Sequence, residues 1–156
     1  MTISMRRLLL ATGLLGLASM AAMAQPPKPP EKPAESRTLK AKINYTGAGT
    51  VDANHKIFMF VFDSPSFMQG TAIPIASGST AAKDGTAAVS KLSVSPVYIS
   101  VCFDAKGGYD GVSGPPPSGS PLGVYWKTPP TPEPVQIDPG KTVEVEVAFD
   151  DSFKMP

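Results

Sequence analysis

The sequence predicts an all-β fold, an antiparallel β-sandwich of about seven strands. Three observations lead to this prediction. The segment Thr142–Phe149 alternates apolar residues with polar ones, two of them acidic, at a period of two, which is typical of a half-buried strand. The segment Lys56–Asp63 is apolar on both faces over the length of a single strand. Glycine and proline interrupt the chain repeatedly, and no helical pattern follows residue 24.

The first 24 residues predict a secretory signal peptide. Arg6 and Arg7 precede an apolar run from Leu8 to Ala18, and Ala22-Met23-Ala24 supplies small residues at a cleavage position. An uncleaved anchor is the alternative, but the apolar run is shorter than the roughly 20 residues that a spanning helix needs. We therefore expect a periplasmic or secreted protein, with no membrane span after signal cleavage.

Residues 25–36 predict a proline-rich linker, and residues 37–156 a single β-sandwich domain. The repeated prolines of the linker favour an extended polyproline II conformation. Such a segment serves as a spacer; alternatively, Pro26-Pro27-Lys28-Pro29 satisfies the P-x-x-P pattern that aromatic grooves recognise. The spacer is the favoured interpretation, because short proline-rich linkers are common and the P-x-x-P pattern is unspecific.

Charge and cysteine content exclude several classes of protein. The chain has 14 basic and 13 acidic residues, and loss of Arg6 and Arg7 with the signal leaves 12 against 13. A nearly neutral chain has no electrostatic footprint for nucleic acid or an anionic membrane. Cys102 is the only cysteine. The fold therefore has no disulfide framework and depends on apolar burial.

Taken in order, the strand signals begin with Thr38–Tyr45, in which apolar and polar residues alternate, followed by Lys56–Asp63. Pro74 cannot donate to a β-ladder, so the next segment is either an edge strand or a loop. A turn at Asp138–Lys141 opens the last strand, because Pro and Gly occupy its two central positions. The other predicted strands are 71–77, 85–94, 97–103, 122–126, 135–137 and 142–149.

Several short segments carry a resemblance to a known family. They are Phe60–Pro65, Val97–Ile99 running into Asp104, Leu122–Tyr125, and Gly140–Val143. With the strand order, which covers most of 38–149, the chain resembles the transthyretin-like (prealbumin-like) sandwiches, including the carboxypeptidase regulatory-like modules of exported bacterial proteins. The resemblance implies a stable and usually non-catalytic module for adhesion, scaffolding or ligand binding, without implying one specific activity.

The sequence predicts that the chain is not an enzyme. His55 is the only histidine, and its spacing from Ser64, Ser100 and Cys102 suggests no nucleophile–base arrangement. Some transthyretin-related proteins hydrolyse a purine-degradation intermediate, and their sites need more than one histidine and an arginine. Only Arg37 follows the signal peptide here. The resemblance therefore does not extend to that activity.

Asp104 and Asp110 are the candidate metal ligands, and calcium is the one cofactor considered. Modules that this chain resembles often bind calcium in the corresponding loop, through alternating acidic residues around a glycine. Here Lys106 stands where a second carboxylate is expected, and calcium needs six to eight oxygen ligands. The alternative is that both aspartates are turn formers that accept hydrogen bonds from backbone N–H groups.

The segment Asp104–Pro121 is a long loop rich in glycine, proline and serine, and such loops are commonly functional. Tyr109, Tyr125 and Trp126 lie in or beside it and are the candidate ligand-binding residues. In the alternative interpretation, Tyr125 and Trp126 anchor the loop to the sandwich. Cys102 is expected to be a buried, inert thiol. The end of the chain, from Asp150 onward, is interpreted as a solvated strand end.

The sequence thus predicts an exported, non-catalytic binding or structural module without a cofactor. Its expected partner is an unknown protein or glycan of the cell envelope, contacted by the 104–126 loop. The alternative is a carbohydrate- or calcium-dependent recognition module centred on Tyr109, Trp126, Asp104 and Asp110.

Overall fold

The computed structural model describes residues 36–70 and 72–156. The predicted signal peptide and all of the predicted linker except Ser36 lie outside these residues. Seven β-strands and one short 3₁₀ helix form the described part of the chain. The 3₁₀ helix spans Pro65–Gln69. The strands are β1 (Arg37–Tyr45), β2 (Ile57–Phe62), β3 (Ala76–Thr80), β4 (Asp84–Leu92), β5 (Tyr98–Phe103), β6 (Leu122–Val124) and β7 (Thr142–Phe149).

The strands form two sheets that pack face to face, which confirms the predicted all-β sandwich. One sheet has the order β4-β1-β7, and the other has the order β3-β2-β5-β6. The inward residues of both sheets build one continuous apolar core. Its fully buried members include Leu39, Ile43, Ile57, Met59, Val61, Ile99, Val101 and Ile137.

The prediction of a purely antiparallel sandwich is wrong for one pair of strands. β1 and β7, the first and last strands, are parallel neighbours, with Thr38 opposite Thr142 and Tyr45 opposite Phe149. The other strand pairs are antiparallel. Parallel neighbours need a long connection, and here the rest of the domain provides it. Residue alternation shows which face of a strand is buried, but it carries no information about the direction of its neighbour.

The predicted strand boundaries change most in the middle of the chain. The strand predicted at 71–77 lies at Ala76–Thr80, and Pro74 precedes it in irregular chain, as its missing N–H requires. The segment 135–137 forms only an isolated bridge between Val97 and Val135. The turn at Asp138–Lys141 is confirmed by the bond from Lys141 N–H to Asp138 C=O, at 3.0 Å.

β2 is buried on both faces, as its uninterrupted apolar sequence predicts. Ile57, Met59 and Val61 enter the core between the sheets. The alternate side chains Phe58, Phe60 and Phe62 point to the opposite face of the sheet and form a second cluster with Cys102. We call this second group the outer cluster. Partly buried side chains pack against it, namely Phe67, Ala72, Tyr98, Tyr109 and Leu122.

Candidate functional site

The loop between β5 and β6 begins with a buried carboxylate. Asp104 is fully buried, and its Oδ1 accepts hydrogen bonds from the N–H groups of Lys106 (3.2 Å) and Gly107 (3.0 Å). Its Oδ2 accepts a third, from the N–H of Tyr109 at 2.8 Å. Asp104 therefore folds the first turn of the loop back over the outer face of the β3-β2-β5-β6 sheet.

Asp110 shapes the next turn in the same way, at the surface. Its Oδ1 accepts from the N–H of Val112 (2.9 Å) and of Ser113 (2.8 Å), and its Oδ2 accepts from the Ser113 hydroxyl. These donors, the Ser113 hydroxyl foremost, stabilise the charged carboxylate and lower the pKa of Asp110 to about 2.

The structure thus places both candidate calcium ligands in turns and uses their oxygens as acceptors of backbone hydrogen bonds, which agrees with the turn-forming alternative. Among residues 36–70 and 72–156, no group of three or more His, Cys, Asp or Glu side chains is arranged to hold a metal ion. A calcium site at Asp104 and Asp110 stays a prediction.

Tyr109 covers the outer cluster. Its ring meets Phe58 edge-on, with 5.1 Å between centroids, and lies 6.4 Å from Phe60. Burial raises the pKa of its phenol, whose O–H donates to the Gly114 C=O at 2.7 Å. Gly111 continues the cover: a Cβ there would lie 2.6 Å from the Phe58 ring, and its φ of +78° is one that side-chain-bearing residues rarely adopt.

Cys102 lies beneath this cover and is fully buried. Burial raises the pKa of its thiol to about 12, so the thiol is protonated at neutral pH. The expected buried thiol is therefore confirmed. Ser120 is buried as well, and its hydroxyl has no hydrogen-bond partner among the described residues. Cys102 is not poised as a nucleophile in this fold.

The remaining candidate residues lie apart from Tyr109. Tyr125 is partly buried and packs against the core between the sheets, not against the outer cluster. Its N–H donates to Ile99 C=O at 3.0 Å, and its C=O accepts from Glu133 N–H at 2.9 Å. For Tyr125 the structure agrees with the anchoring interpretation. Tyr109 and Tyr125 thus pack against different clusters and do not form one platform.

Trp126 lies at the margin where β6 and β7 approach each other. This margin contains an open cleft of about 190 Å³. The Trp126 side chain is half-buried, whereas Phe153, on another wall, is exposed. The lining residues are Leu122, Gly123, Val124, Trp126, Ala148, Phe149, Asp150, Ser152 and Phe153. We call this feature the Trp126 cleft.

Two contacts fix the shape of the cleft. A Cβ on Gly123 would lie 2.5 Å from Phe149 Cβ and 2.8 Å from a Val101 methyl group, so only glycine allows β6 to approach β7 this closely. The chain end forms the wall of the cleft that contains Phe153. It is held there because Leu122 N–H donates to Phe153 C=O at 2.8 Å and Met155 N–H donates to Ser120 C=O at 2.9 Å.

The interpretation of Asp150 and Asp151 as a solvated strand end agrees with the exposure of Asp150 but is incomplete for Asp151. Besides the pairing with β6, Asp151 accepts hydrogen bonds from Tyr45 O–H at 2.5 Å and from Ala48 N–H at 2.9 Å. These two donors lower the pKa of Asp151. The charged sequence of the tail predicted solvent exposure. No local pattern shows that the Tyr45 hydroxyl and the Ala48 N–H, about 100 residues away in sequence, donate to Asp151.

Sequence reasoning also missed Val124, Phe149 and Phe153 as cleft residues. The first two occupy ordinary strand positions, and only the approach of β6 to β7 makes them neighbours. Phe153 gave the one available signal, since it is a large aromatic side chain directly after the polar segment Asp150–Ser152.

His55, the single histidine, is not among the residues that line the Trp126 cleft and lies beside the start of the 104–121 loop, where a Cβ on Gly107 would be 3.0 Å from its Nε2. Its ring Nδ1 is 3.1 Å from Asp52 Oδ1 on the connection between β1 and β2. Asp52 also accepts hydrogen bonds from the N–H groups of Asn54 and His55, which lower its pKa. This pair forms a turn at the surface.

The fold and the cleft define the class of this protein: a two-sheet β-sandwich with a loop-covered outer sheet face and an aromatic cleft at one margin. No protein-family model matches the sequence, and comparison with curated proteins finds no similar sequence. In residues 36–70 and 72–156, no helix is long and apolar enough to cross a membrane.

Proposed function

We propose that this chain is an exported, non-catalytic β-sandwich module that binds a protein partner in the cell envelope through the Trp126 cleft and the adjoining part of the 104–126 loop. The supporting observation is that a half-buried Trp126 and an exposed Phe153 line one open cleft. Trp is one of the residues that most often dominate the binding energy of a protein interface, and Phe is enriched in interfaces relative to the rest of the surface. The signal-like segment 1–24 supports the exported location.

The finer assignment is a transthyretin-like sandwich. Two features support it. The architecture of seven strands in two sheets is the one that the resemblance implies. The segments that carry the resemblance also fall at element ends: after β2, at β5 and its exit, at β6, and at the start of β7.

A glycan is the second candidate ligand. Ser152 and Asp150 line the same cleft as Trp126, and an aromatic face beside hydroxyl and carboxylate groups suits a sugar ring. The Ser152 hydroxyl donates to Asp150 at 2.5 Å, so a sugar hydroxyl would have to compete with that bond. For this reason a protein partner is the primary proposal.

The test is capture of envelope proteins by the signal-free chain, compared with Trp126→Ala and Trp126→Phe. Val112→Ser is the matched control, because Val112 is an exposed apolar residue of the same loop outside the cleft. We expect one captured protein to be lost with Trp126→Ala, retained with Val112→Ser and partly retained with Trp126→Phe.

The same four proteins are then applied to a glycan array, after urea unfolding has shown that each is folded. Trp126-dependent glycan binding without protein capture selects the second candidate. A Trp126→Ala variant that is destabilised but binds as the wild type does would return Trp126 to a purely structural role.

A further inference from the structure

Four strands lie at the margins of the two sheets, and three of these margins are protected. β3 and β4 lie against each other, since a Cβ on Gly78 would come within 2.8 Å of Ala88 C=O. β6 has only three residues, and the chain end pairs with its first residue, Leu122, and with residues 119–121 before it. β7 has eight residues and contains no proline or glycine; among the described residues it pairs only with β1, and β6 approaches it at its last residue, Phe149. A long edge of this kind is available for pairing with another chain.

The register with β1 shows which backbone groups of β7 are free. Thr38 N–H donates to Lys141 C=O, and Thr46 N–H donates to Phe149 C=O, each at 3.0 Å. The odd-numbered residues of β7 therefore direct their N–H and C=O groups toward β1. Because successive residues of a strand alternate, the even-numbered residues direct theirs toward the open side. These residues are Thr142, Glu144, Glu146 and Ala148.

The side chains of β7 also indicate an incomplete edge. Val143 and Val145 point toward the core but are only partly buried, whereas Val147 and Phe149 are buried. A further strand beside β7 would cover the first two valines. On the opposite face, Glu144 and Glu146 are exposed and lie in register with Lys40 and Lys42 of β1.

The two glutamates argue against a second copy of this chain as the occupant. Pairing requires the open residues of both strands to face each other, so an antiparallel pair centred on Val145 places Glu144 of one copy opposite Glu146 of the other. Like charges directly opposite each other on a sheet are destabilising. A strand with basic residues opposite Glu144 and Glu146 would instead place opposite charges side by side. It would extend the alternation of charge across the sheet that begins with the pairs Lys40–Glu144 and Lys42–Glu146.

We propose that the open edge of β7 binds an extended polypeptide segment in which basic and apolar residues alternate, as a fourth strand of the β4-β1-β7 sheet. The backbone of the segment pairs with the four open residues of β7. Its basic side chains lie beside Glu144 and Glu146, and its apolar side chains cover Val143 and Val145. This inference rests on the proposed function as a binding module and names the partner class at an edge that shares Ala148 with the Trp126 cleft.

The probe is an eight-residue peptide of alternating Lys and Val with blocked ends, added to the isotope-labelled, signal-free chain. The controls are the Glu–Val peptide and the Lys–Val peptide with alternate backbone nitrogens methylated. We expect the Lys–Val peptide to slow amide exchange at Glu144, Glu146 and Ala148 at least tenfold, while Val145, whose N–H already pairs with β1, changes little. We expect neither control to do so.

Two substitutions separate charge from backbone pairing. Glu146→Gln removes one charge and keeps the N–H, and we expect affinity for the peptide to fall roughly two- to fivefold. Glu146→Pro removes an N–H that faces the open side, a change that edge strands tolerate, and we expect a loss of about tenfold. The melting temperature of each variant without peptide shows that it is folded.

Three results would overturn the inference. The first is that the methylated peptide binds as tightly as the parent peptide, which would mean attraction by charge alone. The second is that the Glu–Val peptide binds as tightly as the Lys–Val peptide. The third is that the chain dimerises through the same amides without peptide, which would make a second copy the occupant. None of these results depends on Trp126. A cleft that captures no partner would therefore refute the proposed interface and leave the β7 edge separately tested.

Discussion

The two faces of β2 are equally apolar in sequence but are covered in different ways. On the inner face, Met59 packs in the core against strands of the opposite sheet, whose positions are fixed by the hydrogen-bond ladders of β1 with β4 and β7. On the outer face, Phe60 packs against the 104–121 loop, whose shape is held by Asp104, Asp110 and a few turn hydrogen bonds. One face is therefore covered by the opposite sheet and the other by a loop, and we expect the loop to open without unfolding of the sandwich.

The largest expected effect comes from the inner face. Met59→Ala removes a fully buried side chain from between two rigid sheets, and we expect the free energy of unfolding to fall by about 2–5 kcal/mol. Met59→Leu is the matched control and should cost less than about 1.5 kcal/mol, because it conserves volume. Urea unfolding measures both. Equal losses for the two variants would contradict a close-packed inner face.

The outer face is probed by Tyr109→Ala, which removes the ring that covers Phe58 and Phe60. We expect a loss of about 1–3 kcal/mol, from the lost aromatic contacts and apolar burial. Opening of the cover should also expose Cys102, so labelling of the thiol by a disulfide reagent should accelerate at least tenfold under native conditions. Tyr109→Phe keeps the ring and loses only the hydrogen bond to Gly114 C=O, so its labelling should be much closer to the wild-type rate than that of Tyr109→Ala.

A labelling rate that tracks global unfolding in every variant would show that the cover does not open separately. The two faces would then behave as one cooperative unit.

A smaller effect is expected at the chain end. Tyr45→Phe removes the hydroxyl that donates to Asp151 and should cost about 1 kcal/mol near neutral pH. The folded chain lowers the pKa of Asp151 below its ordinary value of 3.8, so this stabilisation is complete above that value and is lost as the pH falls below it.

Unfolding measured between pH 7 and pH 2 should therefore show a smaller loss of stability on acidification in Tyr45→Phe than in the wild type. Identical pH profiles would mean that the bond does not contribute to folding stability.

The smallest effect is local. Asp110→Ala removes the acceptor for the N–H groups of Val112 and Ser113 at the tip of the cover. We expect faster amide exchange at these two residues and no measurable change in the melting temperature. The wild type should show the same local change only near pH 2, where Asp110 becomes protonated in the folded chain. A drop in melting temperature would mean that the loop tip is part of the global folding unit.

The two faces also explain how far the sequence could predict the fold. Period-two alternation identified β1 and β7, because an apolar side chain at every second position indicates a strand with one buried face. The run that is apolar on both faces correctly indicated that β2 is covered on both sides. The parallel pairing of β1 with β7 was not predictable, since both strand directions give the same alternation.

The candidate site was less predictable for a related reason. Trp126 was identified by its chemistry, but its partners Phe149 and Phe153 belong to other segments and meet it only through the approach of β6 to β7. Tyr109 and Tyr125 are close to it in sequence but lie in different apolar clusters. Proximity along the chain therefore suggested one platform where the fold separates the three rings.

The pairing of residues 153–155 with 119–122 has a practical consequence for any engineered version of this protein. Met155 N–H donates to Ser120 C=O at 2.9 Å, so a purification handle joined at Pro156 would begin beside the residues that lead into β6. Removal of residues 153–156 would leave the backbone groups of Ser120 and Leu122 unpaired. These groups would form an open strand edge beside the cleft, at which another chain could pair. Fusions and crystallisation variants are better placed at the amino end of the domain, before Ser36.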